Sequence, residues 1–137
     1  MILAENNKLR INSKAENILL VEQMIEDVCK VCKINEDYYG NILVAVTEAV
    51  NNAIHHGNKA DPTKNIDISF QTTDDGHVSF IVKDEGSGFG YDNLPDPTNP
   101  ENIEKENGRG VFLMRNLADR VSFEDKGSTV ILDFKIA

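Results

Sequence analysis

The sequence predicts a single α+β domain: a mixed, mostly antiparallel sheet with its helices on one face. Three observations carry this expectation. Most strand-like runs adjoin in pairs across short turns, which favours hairpins over crossovers. Two apolar patterns of helical period stand together before the central hairpin, and a third precedes the closing one. A long segment rich in glycine and proline separates the central hairpin from that third helix. Helices grouped in this way are expected to cover one side of a sheet rather than alternate with parallel strands. The 137 residues suit one domain, residues 1–137, and contain no internal repeat.

The elements follow in order. "KLRIN", residues 8–12, reads as a short strand. Ser13 is an expected N-cap, with Glu16 at the capping-box spacing. Ile18, Val21, Ile25, Val28 and Cys32 then recur with a helical period. A second helix is expected from about Glu36 to His56, closed by Gly57 as a C-cap. "NIDISFQT" and "HVSFIVKD" flank "DDG", a hairpin signal. The next stretch, residues 85–110, holds three of the four prolines and five of the nine glycines. A loop of that length in a compact domain is usually functional or disordered. "VFLMRNLAD" is a short amphipathic helix. "VSFED" and "STVILDFKI" close the chain as a hairpin across Lys126–Gly127.

Composition narrows the function. A net charge of −9 opposes direct nucleic-acid binding, which needs a basic face, and opposes docking on anionic lipid. No run approaches the roughly 18 apolar residues of a membrane span. "MILAENNKLR" lacks the basic start and apolar core of a signal peptide, so a cytoplasmic protein is expected. Cys29 and Cys32 lack a second pair to complete a structural zinc site and read as small core hydrophobes.

The second helix carries the first candidate chemistry. Glu48, Asn52 and His56 are spaced four apart and share one helical face, flanked by Asn51 and His55. A solvated polar face is one account of this stripe. A metal–phosphate site is the other. An asparagine carbonyl is a hard oxygen ligand that suits magnesium beside phosphates, and a glutamate one turn earlier could serve as general base. A zinc site at His55 and His56 is disfavoured, because adjacent helical side chains diverge by about 100°.

Two glycine segments extend the argument. In "KDEGSGFG", Asp84, Gly86 and Gly88 follow a strand. This is a plain turn or a base site: a carboxylate can accept a hydrogen bond from an exocyclic amine while glycines admit a flat ring. In "NGRGVFLM", Gly108 and Gly110 stand where a helix opens. They are loop glycines or a phosphate cradle, since a helix N-terminus offers free N–H groups. Lys105 and Arg109 could add positive charge there.

In this order and spacing, Glu48-x-x-x-Asn52, Asp84-x-Gly86-x-Gly88 and Gly108-x-Gly110 resemble the GHKL ATPase superfamily of gyrase, Hsp90, MutL and sensor histidine kinases. The whole chain looks like an anti-sigma factor serine/threonine-protein kinase of the RsbW and SpoIIAB type. "TEAVNNAIHHGN" is similar to that group's asparagine-box helix, and "GRGVFLMRNLAD" to the helix after its lid. No histidine precedes the second helix, so a self-contained sensor histidine kinase is not expected.

The resemblance implies a Bergerat-type two-layer α/β sandwich with an ATP lid at about 89–107. It implies ATP and Mg2+ as cofactors, Glu48 as catalytic base and Asn52 as the magnesium ligand. Asp84 would bind the adenine amino group, with Gly86 and Gly88 shaping the pocket, and Gly108, Arg109 and Gly110 would lie at the phosphates. Ser128 stands where many relatives carry a threonine near adenine, and Thr129 could share that role. The implied substrate is a serine on a STAS-type anti-anti-sigma factor, with a sigma factor as a further partner and a homodimer as the assembly. The alternative is a nucleotide-dependent binding module that sequesters a sigma factor or other regulator without relevant catalysis.

Overall fold

The computed structural model describes residues 8–86 and 106–136. The strands are β1 (Lys8–Asn12), β2 (Asn65–Thr72), β3 (His77–Lys83), β4 (Arg120–Glu124) and β5 (Thr129–Lys135). They form one sheet in the order β1-β2-β3-β5-β4, and every pairing is antiparallel. The helices are α1 (Ile18–Val31), α2 (Glu36–Asn52) and α3 (Glu106–Leu117). Among the described residues, no helix is long and apolar enough to cross a membrane.

Strand alternation decides which face the helices cover. Ile66, Ile68 and Phe70 of β2, Val78, Phe80 and Val82 of β3, and Val130, Leu132 and Phe134 of β5 are buried, with polar or half-buried residues between them. The register aligns these sets, with Ile68 opposite Val82 and Phe80 opposite Leu132. Val21, Ile25 and Val28 of α1, Ile42, Val46 and Val50 of α2, and Met114 of α3 complete one core with them. Residues on the other face pair among themselves. Arg10 grips Asp67 through two hydrogen bonds of 2.7 and 3.1 Å, and Ser79 Oγ and His77 Nδ1 both reach Asp133. An antiparallel sheet tolerates such a one-sided arrangement.

The turns follow their chemistry. Gly76 takes φ 84° between β2 and β3, as "DDG" predicts. The β4–β5 connection is tighter than a simple loop: Asp125, Lys126 and Gly127 all have positive φ, of 53°, 61° and 98°.

Two local expectations are corrected. Ser13 is not a helix cap. The 3₁₀ turn Ala15–Asn17 that precedes α1 has no side-chain cap, and Ser13 is buried with its hydroxyl donated to the Lys64 carbonyl. The capping box needs a helix starting directly after Ser13, and a tertiary partner competes for the hydroxyl. The second helix also ends differently. Its α-helical part stops at Asn52 and continues as a π-helical turn, Ala53–Gly57, closed by Asn58 N–H to Ala53 O at 2.8 Å. Gly57 is not a left-handed cap; the positive φ values fall on Lys59 (53°) and Ala60 (56°). Such wide turns often occur at functional sites.

Candidate active site

The asparagine-box residues lie in the last two turns of α2. Val46, Ala49, Val50 and Ala53 bury one side of the helix in the core, which leaves Glu48, Asn51 and Asn52 half-buried at its margin. His55 and His56 are exposed on the π turn.

The start of α3 packs against this margin. Gly110 is buried, and a Cβ there would lie 3.0 Å from Asn52 Nδ2, 3.2 Å from Asn52 Oδ1 and 3.3 Å from Glu48 Oε2. Three polar atoms from two α2 side chains therefore surround one point on α3. A side chain at residue 110 would press into that space. Asn52 Nδ2 is buried with no hydrogen-bond partner among the described residues. Buried polar atoms are nearly always satisfied, and an orphan calls for an explanation such as a missing ligand or ion. Turning the amide by 180° presents its oxygen at the same place. An amide oxygen joined by phosphate oxygens and water is a donor set that magnesium accepts. The residues present therefore fit that ion.

Gly110 is the fifth residue of α3. The first four N–H groups of a helix lack intrahelical partners, so the free donors belong to the turn containing Gly108, and Gly110 contributes close approach.

A second cluster forms where β3 ends. Asp84 is buried, its N–H donates to Ser128 O at 2.9 Å, and its Oδ1 accepts from Gly86 N–H at 2.8 Å. The π turn closes over it. A Cβ on Gly57 would sit 2.2 Å from Asp84 Oδ2, and one on Gly86 would sit 2.1 Å from the Gly57 carbonyl oxygen. Neither position has room for a side chain, so both glycines are required by contact. Burial pushes the Asp84 carboxyl above its ordinary pKa, opposed by the Gly86 N–H and the positive charge of Lys64. A desolvated carboxylate with an oxygen against glycine backbone is suited to accept from a flat, amine-bearing ligand.

Ser128 and Thr129 separate at this end. Ser128 is bonded to Asp84 through its carbonyl, while its hydroxyl donates to Asp125 O at 2.9 Å. Thr129 pairs with Lys83 across the strands and donates its hydroxyl to Asp125 Oδ2 at 2.8 Å. Gly88, residues 89–105 of the expected lid at about 89–107, and the Arg109 side chain lie outside the described residues; residues 106 and 107 open α3.

Sequence reasoning missed two participants. Gly57 reads as a helix stop, and its contact with Asp84, 27 residues on, has no local signal. Asn58 follows a helix end, where asparagine is unremarkable, yet it is 1% exposed and bonded on three sides.

The family described as "Histidine kinase-like ATPase domain" matches residues 11–134. The chain is 28% identical over 131 residues to the serine-protein kinase RsbW of Staphylococcus aureus, covering 90% of this chain and 82% of that protein. Among solved structures, it resembles the RsbU and RsbW domains of a Mycobacterium tuberculosis protein at a TM-score of 0.66 and 18% identity. That match covers 94% of this chain and 32% of the other. A histidine kinase domain from Erythrobacter litoralis matches at a TM-score of 0.51 and 16% identity, covering 87% of this chain and 60% of that one. At these identities the two structures speak to the fold alone. The match over residues 11–134 settles the family: the chain belongs to the histidine kinase-like ATPase domains.

Proposed function

We propose that this chain is an ATP- and magnesium-dependent protein serine/threonine kinase that acts as an anti-sigma factor. Its substrate would be a serine on a STAS-type anti-anti-sigma protein. The observation that carries the proposal is the convergence of Glu48 and Asn52 on Gly110, one π turn away from the Gly57–Asp84–Gly86 cluster. On this reading a base site and a phosphate site lie at the two ends of one short helical segment. The similarity to the S. aureus serine-protein kinase RsbW supports the same assignment.

In this scheme Asp84 accepts a hydrogen bond from the adenine amino group, Gly86 and Gly88 shape the pocket, and Gly57 packs against the carboxylate. Ser128, bonded to Asp84, shapes the same end, and Thr129 holds the β5 start through Asp125. Backbone N–H groups around Gly108 bind the phosphates, with Arg109 next to it in the chain. Asn52 would hold the magnesium ion, which supplies charge neutralisation on the phosphates. Glu48 accepts the proton from the incoming serine hydroxyl. The serine oxygen then bonds to the γ-phosphorus as the bond to the β-phosphate oxygen breaks, leaving ADP. Alignment and electrostatics dominate such a transfer. A sigma factor and a second copy of this chain are the further partners proposed.

Incubation with Mg-ATP and the cognate STAS protein is expected to give phosphoserine by mass spectrometry. Glu48→Gln should slow turnover by about 10²- to 10⁴-fold, the usual contribution of a general base, with Mg-ADP binding unchanged. Absence of phosphoserine, or a Glu48→Gln variant of full activity, would overturn the kinase assignment. Retained sigma-factor sequestration in that variant would mark a binding module.

A further inference from the structure

A buried polar network lies directly behind the Asp84 cluster, and one side chain organises it. Asn58 Nδ2 donates to Ser13 Oγ at 2.8 Å and to the Asn65 carbonyl at 3.0 Å, and Asn58 Oδ1 accepts from Glu85 N–H at 2.8 Å. Ser13 is itself 2% exposed and passes both its N–H and its hydroxyl to the Lys64 carbonyl, at 3.1 and 2.8 Å. The Glu85 carboxylate accepts from Asn65 N–H. Every polar atom of the Asn58 amide thus has a partner, drawn from the β1–α1 junction, the start of β2 and the end of β3.

The place of Asn58 in the chain gives the network its effect. Its own N–H closes the π turn that presents Gly57. Its side chain grips Glu85, the residue between Asp84 and Gly86. Gly57 and Gly86 are the two surfaces in contact around the Asp84 carboxylate, where a shift of a few tenths of an ångström changes which atoms fit. One residue therefore ties both walls together through bonds to Ser13, Asn65, Glu85 and Ala53, none of them to the carboxylate itself.

We propose that Asn58 is a positioning residue that sets base selectivity, holding Asp84 where it accepts from an amino group at the purine 6-position and rejects an oxo group there. This rests on the adenine assignment to Asp84. The physical basis is asymmetric. A carboxylate facing a 6-amino group gains a hydrogen bond, and facing a 6-oxo group it leaves two acceptors opposed. A rigid mount preserves the difference, whereas a loosened one lets Asp84 turn away from the oxo group.

The test is calorimetric titration of the full chain with Mg-ADP and Mg-IDP, which differ in that group. The wild type, Asn58→Ala, Ser13→Ala and Asp84→Asn are compared, with thermal midpoints measured in parallel. Asn58→Ala is expected to reduce the ADP-over-IDP preference by about tenfold, the equivalent of one lost directional hydrogen bond, mainly by weakening ADP. A purely structural role would lower the midpoint and weaken both nucleotides equally, and that result overturns the proposal. Should Asn58→Ala fail to fold, Ser13→Ala carries the test, because it removes one partner and leaves Asn58 in place. A fall in preference of about twofold or more supports the proposal, and an unchanged preference overturns it. Asp84→Asn separates the two assignments. Loss of preference there with none in the Asn58 and Ser13 variants defeats the Asn58 proposal alone. An unchanged preference in Asp84→Asn defeats the adenine assignment and this proposal with it.

Discussion

The two ends of the asparagine-box helix are built on opposite terms. At the Asp84 end the protein satisfies itself: the carboxylate has its Gly86 N–H, and the Asn58 amide has three partners behind it. At the Asn52 end a buried amide nitrogen has no partner among the described residues. The end proposed for the base is braced by the protein's own hydrogen bonds, and the end proposed for phosphate is left incomplete among the described residues. On that assignment, selectivity and chemistry are divided between the two ends. A pocket that discriminates between bases must resist adjustment, whereas a site for phosphate and cation must keep polar atoms available for them.

The largest expected effect comes from breaking the rigid end. Gly86→Ala places a methyl 2.1 Å from the Gly57 carbonyl oxygen, which is backbone and cannot swing aside. A loss of about 3 kcal/mol or more is expected, at the upper end for overpacking, together with loss of nucleotide binding. A thermal melt with and without Mg-ADP measures both. A variant that melts and binds like wild type would show that this end yields.

Next comes the incomplete end. Asn52→Ala removes an amide whose buried nitrogen lacks a partner, so the thermal midpoint should stay within about 2 °C of wild type, because a polar group without its bond contributes little to stability. Mg-ADP affinity should nevertheless fall by about 100-fold. Titration with magnesium and with EDTA checks whether the loss is metal-dependent. A large drop in midpoint with intact affinity would invert the comparison.

A smaller effect is expected from pH. Asp84 has a folded-state pKa raised chiefly by burial. Relative to the unfolded chain, its contribution to stability is therefore fully present below the ordinary value near 3.8 and is lost as pH rises through the raised value. At neutral pH the ionised group is a cost to the folded protein, and Asp84→Asn should be at least as stable as wild type there. Nucleotide binding runs the other way, because the amino group needs the carboxylate. Mg-ADP affinity is expected to fall several-fold as pH drops through the raised pKa, and Asp84→Asn should lose that dependence. Titrations at a series of pH values, with thermal midpoints alongside, separate the two trends.

Much of this division was legible in the residues. The four-residue spacing of Glu48 and Asn52 places both on one helical margin, and the structure finds them there beside Gly110. Asp84, legible as a candidate just after a strand, is buried. Gly57 was legible as a glycine with a purpose, and the purpose was misassigned. A C-cap is a local explanation, and the real one is the Asp84 carboxylate. Ser13 failed for the same reason: serine before a helical pattern signals a cap, but Lys64 takes its hydroxyl.

The sequence by itself determined the element types, their order, the sheet's buried face and the residue chemistry of the site. Periodicity, turn residues and side-chain type act over a few positions, so they can be read along the chain. The tertiary structure decided the strand order β1-β2-β3-β5-β4, the π turn after Asn52, the contact of Gly57 with Asp84, and the network around Asn58. These depend on which distant groups meet. The bond from Asn58 to Ser13 spans 45 residues and exists only after β1, β2 and the π turn have packed together. A buried polar atom takes whatever partner the fold brings within reach, and nothing local names that partner in advance.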